Sequence, residues 1–257
     1  MKEKVKIRSI FLFVLLVGTV VSLASVLNNS KNEEIKSIQI SGNFYLSSKE
    51  YMKFAMLQNK GNYTSLSLKV VRDRLEKHPY IKKADLILEN NKLEINIFEK
   101  KFEALLTVNK KEFFITDNAM LIPKLPNTQK IDYPIISGPA EINKITEFKK
   151  ATLNNDVKTA IKMITALKIL DKNLYEKLSE INLRNGKDII MILGNIDAPI
   201  IIGRGREIEK MVLLGRLIQQ SDLQNIKGEL EYIDLRYSQF LYVGKTDINN
   251  FEQENNS

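Results

Sequence analysis

The sequence predicts an α+β protein: a single transmembrane helix, then a small β-α-α-β-β domain, then a β-rich domain with flanking helices. Three observations predict it. An uncharged, mostly apolar run occupies 10–27, and nothing comparable follows. Between 35 and 101, strand-like alternation brackets two helical patterns with start and stop signals. From 102 to 244, short alternating segments recur between turn residues, with two amphipathic helical stretches among them.

The apolar run reads Ile10-Phe-Leu-Phe-Val-Leu-Leu-Val-Gly-Thr-Val-Val-Ser-Leu-Ala-Ser-Val-Leu27. About 18 to 20 such residues in a helix reach roughly 30 Å, the thickness of a bilayer's hydrocarbon core. Lys2, Lys4, Lys6 and Arg8 against the lone Glu3 make 1–9 a cytoplasmic leader by the positive-inside rule, so the remainder faces outside. The competing reading is a cleaved signal peptide, with Leu23-Ala24-Ser25 as a small-residue cleavage site. Its apolar centre would exceed the usual length of about 7 to 15 residues.

Of the 257 residues, roughly 225 lie beyond this segment, enough for one large or two small domains with cores of their own. The leader accounts for about +3 of the formal net charge of +8. The rest are interspersed with carboxylates, which suits an anionic membrane surface better than nucleic acid. Cysteine is absent, so an exterior domain must rely on its cores alone.

A polar linker, 28–34, leads to an alternating strand over Ile35–Ile40, ended by Ser41-Gly42-Asn43. Ser47 and Glu50 form a capping-box pattern, opening a helix whose apolar face uses Tyr51, Phe54, Ala55 and Gln58. Gly61-Asn62 breaks it. A second helix runs from Ser67 through Val70, Val71 and Leu75 to His78, where Pro79 stops it. Strands Ile81–Glu89 and Lys92–Phe98 follow, joined by Asn90-Asn91, which tolerates the left-handed conformation of a two-residue hairpin turn. Ala84, Leu86 and Leu88 on the first and Leu93, Ile95 and Ile97 on the second alternate, predicting one buried face.

Ser41-Gly42-Asn43, the two helices, His78-Pro-Tyr-Ile-Lys-Lys-Ala84 and a hairpin ending in Phe98-Glu99-Lys100 resemble a polypeptide-transport-associated (POTRA) domain, placed at 35–101. Behind a single anchor helix, they resemble the FtsQ/DivIB family of bacterial cell-division proteins. The second half carries the likeness on. Phe113-Phe-Ile-Thr-Asp-Asn-Ala-Met-Leu-Ile-Pro123 resembles the family's strand–turn–strand signature, and Tyr133-Pro-Ile-Ile-Ser-Gly138 its proline-to-glycine segment. Asn155 or Asp156 caps a helix with Val157, Ala160, Ile161, Ile164 and Leu167 on one face. Asn185-Gly186 signals a hairpin between Ile181–Leu183 and Asp188–Leu193. A helix through Lys210, Met211 and Leu214 follows, and Tyr232-Ile-Asp-Leu-Arg-Tyr237 resembles the closing motif. Two positions depart from the family: Phe102, where proline is usual, and Ala119, where glycine is common. The tail 245–257 is polar and expected to be disordered.

The resemblance implies a non-enzymatic scaffold of the division machinery. It would sit in the inner membrane at the septum, N-terminus inside, regulating septal wall synthesis through partners. Ile233–Val243 is β-rich and last in its domain, so it is expected to be an edge able to accept another chain's strand. There the family recruits an FtsB-type partner, which brings an FtsL-type one. Carried over, the partner-binding positions are Arg236, with a fork for a carboxylate, Tyr237 as aromatic anchor, and Gln239 and Gly244 along the same strand. Lys245 stands where some members have an aromatic residue. The lesser alternative is that Arg236 and Tyr237 only stabilise the sheet. Further division proteins would meet the POTRA domain, whose second helix shows Lys69, Arg72, Asp73, Glu76 and Lys77, a pattern that also fits a solvated face. The alternative is a secreted POTRA module of a polypeptide-transport or outer-membrane assembly system, cleaved after Ala24.

Catalytic patterns are sparse. His78, the sole histidine, is expected to act as a cation at a helix end. One histidine and no cysteine exclude common zinc and thiol sites. Gly244-Lys245-Thr246 mimics the end of a phosphate loop, but Gln239 replaces its first glycine. Gly203-Arg204-Gly205 lacks the third glycine of a dinucleotide loop and reads as a strand end before a helix. No cofactor, metal, nucleic acid or small-molecule substrate is expected, and a cell-wall enzyme is the reading held third.

Overall fold

The computed structural model describes residues 35–59, 61, 63, 66–220, 230–237 and 241–245, with Phe13, 15–20 and Ser22 ahead of them. Most of the apolar run 10–27, the linker 28–34, Gln239 and the tail after Lys245 lie outside the described residues. Among the described residues no helix is long and apolar enough to cross a membrane. The chain forms two compact units. The first holds Ser47–His78 and Lys83–Ile97 with the chain up to Asn43; the second holds Phe44–Leu46, Pro79–Lys82 and the chain from Phe98 on.

The first unit is a three-stranded sheet with two helices. Strand β1 (Ser37–Ser41) runs parallel to β3 (Lys92–Glu99), and β2 (Ile81–Glu89) lies on the other side of β3. Asn90 and Asn91 both take the left-handed conformation in the β2–β3 turn (φ 50° and 65°), as that turn type demands. Leu93, Ile95 and Ile97 are buried while their neighbours are exposed, giving β3 one core face. Helices α1 (Ser48–Phe54) and α2 (Leu68–Glu76) contribute Tyr51, Val71 and Leu75 to that core.

Both helix starts follow the sequence. The Ser47 Oγ accepts from Glu50 N and the Glu50 carboxylate accepts from Ser47 N, a reciprocal capping box. The end of α1 does not. The helix stops at Phe54 rather than near Gly61, because Met56 enters the left-handed region (φ 58°), with Met56 N bonded to Lys53 O and Leu57 N to Met52 O. That closure places Leu57, not Gln58, in the core and leaves Phe54 half-exposed. His78, expected as a cation at a helix end, does not sit on the surface. It is buried, with the rings of Tyr51 and Phe54 meeting it edge-on at 4.7 and 4.6 Å.

The second unit carries a nine-stranded mixed sheet in the order β12-β11-β10-β9-β8-β7-β4-β5-β6. Its strands are β4 (Phe102–Val108), β5 (Lys111–Thr116), β6 (Leu121–Pro123), β7 (Ile135–Ser137), β8 (Leu178–Asn182), β9 (Ile190–Leu193), β10 (Ile200–Ile201), β11 (Leu230–Asp234) and β12 (Tyr242–Lys245). Parallel neighbours need a crossover, which explains where the helices fall. Helices α3 (Asn155–Leu170) and α4 (Lys172–Lys177) connect parallel β7 and β8; α5 (Glu207–Gln220) lies between parallel β10 and β11. The buried face of α3, with Val157, Ala160, Met163, Ile164 and Leu167, joins Leu106, Ile136, Ile181, Met191 and Ile200 of the sheet in one core.

Three local readings change in this unit. Asn154, not Asn155 or Asp156, caps α3: its Oδ1 accepts from Val157 N at 3.0 Å while its Nδ2 donates to Ala140 O and Glu141 O. The β8–β9 connection is longer than a two-residue hairpin. Leu183 and Ile189 both fold into the core, so the ladder closes at Asn182–Ile190, outside the Asn185-Gly186 turn. Finally, Ile233–Val243 is not one strand, since the chain turns back after β11 and pairs with itself as β12.

The second unit also contains five clustered aromatic rings: Tyr45, Tyr80, Phe102, Phe114 and Tyr133. Phe102 stacks on Phe114 at 4.4 Å with 6° between planes, and the Tyr45 and Tyr80 rings meet Phe102 at 4.6 and 5.3 Å. The buried hydroxyls are satisfied: Tyr45 pairs with Tyr133 at 3.0 Å, and Tyr80 with Thr128 at 2.9 Å. Ala119 takes the left-handed conformation (φ 61°) in the β5–β6 turn, which is why glycine suits that position.

Candidate partner-binding edge

Strand β12 is the outermost strand at one end of the large sheet, paired on its inner side with β11 through Tyr232–Gly244, Ile233–Val243 and Asp234–Tyr242. Alternation puts Ile233 into the core and leaves Tyr232 and Tyr242 on the outer face. Tyr232, Tyr237 and Tyr242 are 39%, 56% and 51% exposed. Tyr237 and Tyr242 meet edge-to-face at 5.3 Å. Gly244 makes room for the third ring, since a Cβ there would lie 2.5 Å from Tyr232 Cε1.

Arg236 sits just past β11 and holds this surface from below. Its Nε donates to both Asp234 carboxylate oxygens at 3.0 Å, Nη2 donates to Asp234 Oδ2 at 2.6 Å, and Nη1 to Asp188 Oδ2 at 3.0 Å. The Asp234 carboxylate also accepts from Arg236 N at 2.9 Å. These hydrogen bonds outweigh burial and hold the Asp234 carboxyl below the ordinary carboxylate range, with Arg236 held firmly protonated in turn. Gly203, at φ 68°, lets the arginine stem lie against the backbone; a Cβ there would come within 2.7 Å of Arg236 Cγ. The guanidinium carbon then lies 5.9 Å from the centre of the Tyr237 ring.

Of the four positions read from the sequence, Arg236, Tyr237 and Gly244 come together here and Gln239 lies outside the described residues. They do not share a strand, because Arg236 and Tyr237 occupy the β11–β12 connection and Gly244 lies in β12. The fork of Arg236 is occupied by Asp234 and Asp188 within its own unit. Sequence reading missed Tyr232, Tyr242 and Asp188. Tyr232 stood inside the quoted closing motif, but the pairing that opposes it to Gly244 has no sequence signal. Gly244 and Lys245, read against a phosphate loop, are strand residues.

A β-α-α-β-β unit followed in the chain by a mixed sheet with a terminal edge strand is the architecture of a POTRA-bearing protein. Residues 34–100 match the family described as POTRA domain, FtsQ-type, and residues 104–236 match Cell division protein FtsQ/DivIB, C-terminal. The chain belongs to the FtsQ/DivIB family of cell-division proteins. It is similar to the cell division protein FtsQ of Geobacter sp. (strain M21), 25% identical over 82% of this chain and 76% of that one. It is also similar to the cell division protein DivIB of Clostridium tetani (strain Massachusetts / E88), 23% identical over 75% of this chain and 73% of that one.

Proposed function

We propose that this division protein is a non-enzymatic, single-pass membrane scaffold that recruits FtsB-like and, through them, FtsL-like proteins at the septum, regulating septal wall synthesis. The anchor is 10–27, with 1–9 in the cytoplasm and the chain from 28 on outside. Supporting this, Phe13, Leu15, Leu16, Val17 and Val20 are exposed helical residues. The Thr19 and Ser22 hydroxyls donate to Leu16 O and Thr19 O, satisfying their polar groups within the helix as a bilayer requires.

The partner adds a strand to β12, and the observation that carries the reading is that β12 ends the sheet beside three exposed tyrosines. Tyr237 is the anchor, Gly244 keeps the strand surface open, and Gln239 is a further partner-binding position. Arg236 contributes by fixing Tyr237, using Asp234 and Asp188 as its own carboxylates. The POTRA unit is left for other division proteins. Replacing Tyr237 with Glu puts a charge in the aromatic edge. Co-purification of an FtsB-like partner with the Tyr237→Glu chain should be lost while its circular dichroism spectrum is unchanged. Retained co-purification would move the partner site off this edge.

A further inference from the structure

A second surface of the second unit has the features of a binding groove. It encloses about 750 Å3, within the range of roughly 300 to 1,000 Å3 typical of ligand sites. Met120 and Ile122 line it, and Phe98 and Phe148, 44% and 49% exposed, stand in its walls. Each phenylalanine leads into a lysine pair in the sequence: Lys100-Lys101 after Phe98 and Glu99, and Lys149-Lys150 after Phe148.

Phe148 is held there under strain. Its φ of 59° is the left-handed region, which costs a non-glycine residue about 1–2 kcal/mol. Neighbouring bonds impose it: Phe148 N donates to Leu121 O, Leu121 N to Lys149 O, and Met120 bridges Lys150, so this segment is zipped onto the edge of β6. Strain that the surroundings over-determine, on an exposed aromatic ring beside a cavity, is characteristic of ligand clamps.

The charges select the ligand. Lys82 and Lys101 line the groove and are exposed, and Lys149 is exposed beside Phe148. Lys100 and Lys150 donate to Pro79 O and Asn118 O, which keeps their charge at the rim. Against them stand Asp117 and Glu99, but the Glu99 carboxylate already accepts from the backbone N–H groups of Phe44 and Tyr45. We infer that this groove docks an acidic peptide segment of another protein, its apolar side chains between Phe98 and Phe148 and its carboxylates against Lys82, Lys101 and Lys149. A concave site with aromatic walls suits peptide side chains better than a flat lipid surface.

The test uses the full chain in neutral-detergent micelles and fluorescein-labelled synthetic peptides read by anisotropy. One peptide alternates Glu with Leu and Phe; a second replaces Glu with Lys; a third replaces Leu and Phe with Ser. Only the first should bind. Phe148→Asn, which suits the left-handed backbone and so preserves the fold, should weaken binding about tenfold. Lys101→Glu with Lys149→Glu, both on the surface, should abolish binding and create affinity for the lysine peptide. Binding should persist in the Tyr237→Glu chain, which separates this groove from the β12 edge. Equal binding of the lysine peptide, or indifference to Phe148→Asn, would overturn the assignment. So would displacement of the peptide by phosphatidylglycerol in the micelles, which would reassign the groove to an anionic lipid surface.

Discussion

Asp234 shows how one carboxylate organises the closing motif. It is 4% exposed and tolerated there because the Arg236 fork and backbone N–H satisfy it. Its pKa is lower in the folded chain than in the unfolded one, so the folded state binds its proton less readily. The stability this contributes is present above the ordinary carboxylate range and is lost as pH falls through the depressed folded value. Asp234→Asn should therefore cost about 2 kcal/mol near neutral pH by urea denaturation. The difference from the parent chain should shrink in acid. A deficit that persisted unchanged at low pH would mean that packing, not charge, holds Arg236.

The start of α3 shows a cap that does two things at once. Asn154 satisfies an orphan amide of the helix and ties Ala140 and Glu141 to it, and it is 1% exposed. Next to it Asp156 accepts from Ala140 N and from Arg204 Nη1, each with a separate oxygen. Arg204 also donates to Lys187 O and Leu183 O, so the α3 start, the β8–β9 connection and the turn before α5 are bound together. Asn154→Ala removes the cap and takes its donor from the part-buried Ala140 carbonyl, an expected loss of about 2 kcal/mol in urea denaturation. Asn155→Ala, whose side chain is exposed, should change stability by less than about 0.5 kcal/mol.

Across the whole molecule, the second unit is assembled from three pieces of chain. Phe44–Leu46 and Pro79–Lys82 supply Tyr45 and Tyr80 to rings that otherwise come from beyond Phe98. Gln129 N donates to Tyr45 O and Leu125 N to the Tyr80 hydroxyl, so backbone as well as rings depends on these pieces. A fragment beginning at Phe102 lacks both tyrosines and strands Phe102 and Phe114 without them. It should unfold at lower urea than a fragment beginning at Ile35, when both are followed by circular dichroism in the region of the large sheet's transition. Equal midpoints would show that the cluster adds nothing to the sheet's stability.

Much was legible in order along the chain. The capping box at Ser47 and Glu50, the Asn90-Asn91 turn, the alternation of Leu93, Ile95 and Ile97, and the apolar face of α3 are local patterns, and local geometry follows from them. So was the family, because its motifs sit in contiguous stretches. Other features depended on residues far apart in sequence. His78 became a buried ring because Tyr51 and Phe54 close over it. Arg236, read as a receptor for a partner's carboxylate, found Asp188 across 48 positions. Residues 233–243 are β-rich whether they form one strand or two, and the antiparallel pairing of Tyr232 with Gly244 decides for two. Periodicity and caps act within a few residues and are written in the chain itself. Ion pairs, strand partners and shared cores are chosen by competition among all the surfaces that folding brings together, and only the folded molecule contains that choice.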